Sequence, residues 1–171
     1  QQISFTSNST IVSTTNNTIT LSSHGLSTGD PVYYYAASNV VGGLDITTLY
    51  YVIRTDANTI KLATTATAAT AGTAISLTSV PSSDTTQYIY QGVNISSNFI
   101  YSAAHGFVTG DIFYYENAGT TIGGLAENTK YYIEKIDNNQ FKIYSDKTLA
   151  TVVDITSAHT SEQTDNILTH A

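Results

Sequence analysis

HGLSTGDPVYYYAASNVVGGLDITTLYYVIRTDANTIKLATTATAAT, residues 24–70, returns 81 residues later as HGFVTGDIFYYENAGTTIGGLAENTKYYIEKIDNNQFKIYSDKTLAT, residues 105–151. About twenty of the forty-seven positions are identical without a gap, more than a biased composition produces, and self-similarity at a fixed period marks a repeated structural unit. Beyond Thr70 the first copy carries three extra residues, after which Ala74–Ser79 (AISLTS) matches Val152–Ser157 (VVDITS). The expected architecture is all-β: two tandem small antiparallel modules, each a barrel, roll or sandwich, related by internal duplication. Residues 1–81 form the first module with an N-terminal extra strand, 82–158 the second, and 159–171 a tail or the start of a truncated third repeat.

The pattern inside each copy supports strands. Thr18–Ser23, Val32–Ala36, Leu49–Thr55 and Thr59–Thr64 are short alternating runs separated by turn chemistry, as are Tyr131–Ile136 and Gln140–Tyr144. Ile75–Thr78 reads as a closing strand, Thr65–Ala71 as a single helical turn, and the Gly42-Gly43 pair as a hairpin turn. Ile3–Val12 alternates well enough for an extra strand, equivalent to Tyr88–Ile95 before the second copy. Val80–Thr86 contains Pro81, which lacks the N–H a central strand needs, so the domain boundary is placed there. Asn17–Ser23 leads into the first His-Gly and Asn98–Ala104 into the second. Asn166–Ala171 resembles that lead-in and suggests a third copy.

Composition narrows the function. Charged residues are 11% of the chain, the net charge is −7, and the six Lys and Arg are scattered singly. Nucleic acid is thereby disfavoured, because clustered cations are needed to displace counterions from phosphate. No apolar run approaches the roughly 18 residues of a membrane helix, so no membrane insertion is expected. With no Cys there is neither a disulfide framework nor a thiolate metal site. Thirteen Tyr and five Phe, with abundant Thr, Val and Ile, suit pleated, half-buried surfaces. The absence of any Met, position 1 included, suggests a piece of something longer.

The residues retained between copies read as folding chemistry rather than catalysis. His24, Gly25, Gly29 and Asp30, with His105, Gly106, Gly110 and Asp111, are assigned to a tight turn. Gly42, Gly43, Gly123 and Gly124 are assigned to a second turn. His with Asp six residues on could be an acid–base pair, but the turn reading is preferred and no catalytic residue is assigned. Asp30, Asp45, Asp56, Asp111 and Asp137 are isolated carboxylates without calcium-loop spacing, so neither metal nor cofactor is expected. Tyr33, Tyr35, Tyr114 and Glu116 are the candidate surface contacts. The tyrosine pairs Tyr33-Tyr34, Tyr50-Tyr51, Tyr114-Tyr115 and Tyr131-Tyr132 place one ring on each face, which leaves a cell-surface glycan as a candidate ligand. Glu134 and Tyr144 replace Ile53 and Ala63 and suggest a different neighbour on one face.

The motifs HG-x-x-TGD and GGL-x-x-x-T-x-YY, over about residues 17–79 and 98–157, resemble a repeat of tailed-phage virion structural proteins, especially from marine and cyanobacterial hosts. Similar repeats occur in very long bacterial surface proteins. The resemblance implies a non-enzymatic structural component at a virion or extracellular surface: a tail-fibre or appendage segment, or a capsid decoration protein. It would assemble as a homo-oligomer with other virion subunits. The alternative is a repeat module of a secreted bacterial or archaeal adhesin, or a strand-exchanging filament subunit.

Overall fold

The computed structural model describes residues 1–102, 104–117, 121–157 and 166–170, with Asn117 and 166–170 described by backbone alone. The elements are β1 (Gln2–Thr6), β2 (Val12–Ser13), β3 (Thr18–Thr20), β4 (Pro31–Tyr35), β5 (Leu49–Arg54), β6 (Thr59–Ala63) and α1 (Ala66–Thr70). They are followed by β7 (Thr86–Gln91), β8 (Val93–Asn94), β9 (Phe99–Tyr101), β10 (Ile112–Asn117), β11 (Thr129–Lys135), β12 (Gln140–Tyr144) and β13 (Asn166–His170). The fold is nearly all-β, with two antiparallel sheets. One is seven-stranded in the order β1-β7-β4-β5-β6-β3-β2, the other six-stranded in the order β13-β10-β11-β12-β9-β8. Both are open, so the barrel alternative is corrected: each sheet ends in edge strands instead of closing on itself.

In the first unit, Val32 and Tyr34 of β4, Tyr50 and Val52 of β5, and Ile60 and Leu62 of β6 are buried in one cluster with Ile19, Leu26 and Val41. These residues recur every second position, because successive side chains in a strand point to opposite faces. Burying each such side chain contributes roughly 1.5–3 kcal/mol. The second unit buries Phe113 and Tyr115, Tyr131 and Ile133, and Phe141 and Ile143 in the same alternation. Registers match as well: Val32 opposes Tyr50 and Ile19 opposes Ile60 in one sheet, while Phe113 opposes Tyr131 and Ile100 opposes Phe141 in the other.

Three segments differ from the sequence expectation. Ile75–Thr78 is not a strand, because its backbone bonds go to separate partners: the Ile75 N–H to Leu62 O at 2.8 Å and the Thr78 N–H to Gly42 O at 2.8 Å. Contacts divide the chain into Ile3–Gln91 and a unit of Gly92 onward together with Gln1–Gln2, so the break falls between Gln91 and Gly92 and not in the Pro81 segment. The reason is β7, whose Ile89 and Tyr90 pair with Tyr34 and Tyr33 of β4. Finally, β13 pairs with β10, with Thr169 opposite Tyr114. It therefore stands where β7 stands in the first sheet, not where β3 stands, as its likeness to Asn17–Ser23 implied. The rest of the proposed tail, 159–165 and 171, lies outside the described residues.

The three residues present only in the first unit, Ala71–Thr73, directly follow α1. Thr65 caps it by accepting the Ala68 N–H at 3.0 Å, α1 packs on β5 and β6, and Ala63 and Ala69 are buried. In the second unit a carboxylate turn replaces it. Asp146 accepts the N–H groups of Thr148 at 3.0 Å and Thr151 at 2.8 Å, which with the Thr148 hydroxyl hold its carboxyl down at about 2.

Candidate functional site

The retained residues form a hydrogen-bonded cage at the turn between β3 and β4, and its equivalent between β9 and β10. His24 is 1% exposed and uses both ring nitrogens: Nδ1 accepts the Leu26 N–H at 2.9 Å, and Nε2 lies 3.0 Å from Asp56 O. With Nδ1 accepting, the ring is the neutral tautomer that donates from Nε2. His105 repeats the arrangement with the Phe107 N–H at 3.0 Å and Asp137 O at 3.0 Å. The Asp30 carboxylate accepts the Ser27 N–H at 2.8 Å and that of Asp111 accepts the Val108 N–H at 2.9 Å. Thr28 accepts from the Arg54 N–H and Thr109 from the Lys135 N–H, each at 3.0 Å. Gly25, Gly29, Gly106 and Gly110 all have positive φ.

The second turn is more than the hairpin that its two glycines suggested. It sits in the long β4–β5 connection and is clamped against the segment before Val80. The Gly42 N–H donates to Ser79 O at 3.0 Å, matched by Gly123 to Ser157 at 3.1 Å. A side chain has no room here: a Cβ on Gly42 would lie 2.3 Å from Ser79 Oγ, and one on Gly123 would lie 2.4 Å from Ser157 Oγ. The same segment is held from below by Asn17, whose Oδ1 accepts the Leu77 N–H at 2.9 Å, and in the second unit by Asn98 on the Ile155 N–H at 2.8 Å.

Buried tyrosines complete the cage. The Tyr34 hydroxyl accepts the Val41 N–H at 3.0 Å and Tyr115 accepts that of Ile122 at 2.8 Å. Tyr50 takes the Asp45 N–H at 2.9 Å and Tyr131 that of Ala126 at 2.8 Å. Sequence reasoning missed Gln87, which is fully buried and links the network to β7. Its Oε1 accepts the Tyr34 O–H, and its Nε2 donates to Asn39 O at 2.7 Å. The signal was its parity with Ile89, which marks an inward position in TQYIYQ.

The carboxylates weighed as calcium ligands are spent locally. Asp45 accepts from Thr47, Asp56 from Asn58 at 2.7 Å, and Asp137 from Asn139 at 2.7 Å, each closing its own turn. Asp45 is held below the usual carboxylate range by the Thr47 hydroxyl and amide. Among the described residues, no three His, Asp or Glu side chains gather as metal ligands would. No family model, curated protein or solved structure matches the chain. The reading therefore rests on the residues themselves.

The outer faces are where the units diverge. Tyr33, assigned to a contact surface, is instead 1% exposed, standing between Leu49 of β5 and Tyr90 of β7. Tyr35 is half-buried in a cluster with Tyr88 at 6.3 Å and Tyr90 at 6.4 Å, and the last two stack at 5.8 Å. Tyr114 is 41% exposed and Glu116 is exposed. Lys130 lies 5.3 Å over the Tyr132 ring, and the Tyr144 hydroxyl donates to Glu134 at 2.7 Å. Of residues 116–121, which stand where Tyr35–Val40 stand in the first unit, 118–120 lie outside the described residues.

Three phenols tie stability to alkaline pH. Burial pushes Tyr34 and Tyr90 up to about 12, and the Glu134 carboxylate bonded to Tyr144 pushes that hydroxyl up to about 12. The folded state thus favours the protonated phenol. That contribution is complete below the unfolded value of about 10 and is lost as pH rises through about 12. Tyrosinate absorbance followed alongside circular dichroism should show these phenols ionising together with loss of sheet structure.

Proposed function

We propose that the chain is a non-enzymatic structural protein of a tailed-phage virion, a tail-fibre or appendage segment or a capsid decoration protein, built from two copies of one sandwich-like module. It acts at the particle surface by binding other subunits. The observation that carries this reading is the paired cage. In both units His, Asp, Thr, Asn and Tyr side chains at matching positions are engaged with backbone groups. What the copies share is devoted to holding loops, so partner recognition falls to the outer faces, where Tyr35 stands against Glu116. The resemblance of HG-x-x-TGD and GGL-x-x-x-T-x-YY to virion repeats supports the same reading.

The half-buried Tyr35 and Tyr88, packed over the buried Tyr90, favour a second reading, an adhesin module whose accessible rings stack on sugars. One experiment separates the two. Labelled chain is offered to disrupted virions of a phage carrying the repeat and to host cells, with Tyr35→Ala in parallel. Capture by particle subunits supports the virion role. Capture by cells that is lost in Tyr35→Ala supports the adhesin, and binding to neither overturns both.

A further inference from the structure

The two sheets end unequally. At one end the edge strands β2 and β8 are two residues each, too short to template another strand. At the other end, among the described residues, the edges are β1 and β13, five residues each. Their sequences, Gln-Ile-Ser-Phe-Thr and Asn-Ile-Leu-Thr-His, contain no Lys, Arg, Asp, Glu or Pro. Proteins ordinarily blunt a sheet edge with charge, proline or shortness, because its unpaired N–H and C=O groups accept a further strand. One end of each sheet is blunted and the other is not.

The first sheet shows that the place beside β13 can hold a further strand. Strands β7-β4-β5-β6-β3-β2 correspond in order to β13-β10-β11-β12-β9-β8, and the first sheet adds β1 outside β7. The Ser7 N–H donates to Thr85 O at 3.0 Å, so the end of β1 meets the start of β7 and the two run antiparallel. The matching place outside β13 has no strand among the described residues.

We propose that the outer edge of β13 pairs with the outer edge of β1 in a second copy of this chain. The second copy keeps β1 on its own β7, so no strand has to leave its sheet. The joined order becomes β8-β9-β12-β11-β10-β13 followed by β1-β7-β4-β5-β6-β3-β2 of the next copy. The contact uses different surfaces on the two partners and is therefore heterologous, giving a ring if the rotation closes and a filament if it does not. This inference rests on the assembly reading above and names the surface and the partner.

Each edge can be blocked without breaking the strand's own pairing. Ser4 and Thr6 are exposed on β1, so Ser4→Lys/Thr6→Lys adds charge to that edge. On β13, Leu168 stands opposite Tyr115, whose carbonyl accepts the Asn128 N–H on the β11 side at 2.8 Å. Backbone groups alternate sides along an antiparallel strand, so the Leu168 N–H points away from β10, and Leu168→Pro removes only an outward donor. Sedimentation of the full chain should show concentration-dependent growth that both variants abolish. Hydrogen exchange at β4–β5 and β10–β11 should report both units still folded. Mixing the two blocked variants should give a one-to-one pair and nothing larger, because each retains the edge the other lacks. Wild-type assembly that persists in both variants, or a mixture that forms no pair, overturns the edge pairing and leaves the assembly reading intact. So does a monomeric chain that still binds a particle subunit. A monomer that binds nothing overturns both.

Discussion

Gly43→Ala should unfold the first unit at ambient temperature, with a loss above about 4 kcal/mol out of the roughly 5–15 kcal/mol typical of a domain. Two causes add. Gly43 has φ +93°, a conformation L residues adopt at a cost of about 1–2 kcal/mol, and its Cβ would lie 2.2 Å from Ser76 O. That oxygen belongs to a backbone pinned on one side by the Ile75 bond to Leu62 and on the other by the bonds at Leu77 and Thr78, so it cannot retreat. Gly29 separates the two causes, because its φ is +95° but nothing lies within 4 Å of the place a Cβ would take. Gly29→Ala should therefore lose only about 1–2 kcal/mol. Gly124→Ala should repeat the large loss in the second unit, where the Cβ would meet Asp154 O at 2.0 Å. Urea unfolding of the three variants is the measurement. Equal losses at Gly43 and Gly29 would show that φ alone, and not the close approach, explains the glycine.

The contrast between these glycines also marks what the sequence could reveal. Positive φ at a Gly beside Asp is a local property, legible from Thr28-Gly29-Asp30. The clamp on Gly42-Gly43 is not, because its partners lie more than thirty residues away at Ser76–Ser79, and a strand-like run carries no statement of what it will bond. The same limit explains Ile75–Thr78, whose alternation resembles a strand although its bonds are divided between Leu62 and Gly42. Period-two patterning located β4, β5 and β6 within a residue or two, since those strands are built from side chains that must alternate between core and surface. It could not assign β7 to a sheet. The segment precedes the second His-Gly in sequence, yet its backbone pairs with β4. The candidate contact residues show the same division. Tyr114 and Glu116 are exposed, but Tyr33 is buried, and one of its two cross-strand neighbours, Tyr90, comes from beyond the expected boundary.

That crossing strand makes Gln87→Leu the second large expected effect. Leucine roughly preserves the volume and removes both polar atoms. The buried Tyr34 hydroxyl then loses its acceptor, and Asn39 O, on an exposed residue, loses its donor. The stranded hydroxyl costs about 1–3 kcal/mol and the lost bond to the exposed Asn39 carbonyl about 0.5–1.5, so the variant should lose about 1.5–4.5 kcal/mol. Tyr34→Phe alone strands the Gln87 carbonyl and the Val41 N–H, and should be similarly damaging. The double variant should lose less than the sum, because the Tyr34–Gln87 bond can be broken only once. Hydrogen exchange then distinguishes a local loss from a shared one. If Gln87 is what fastens β7 to the β4–β5 loop, amides of Thr86–Gln91 should lose protection together with those of Val32–Tyr35, although the first segment lies beyond Pro81. Losses that simply add, with β7 still protected, would show that backbone pairing alone holds the strand. It would then be the ladder between β4 and β7, and not this buried amide, that draws the chain beyond Pro81 into the first sheet.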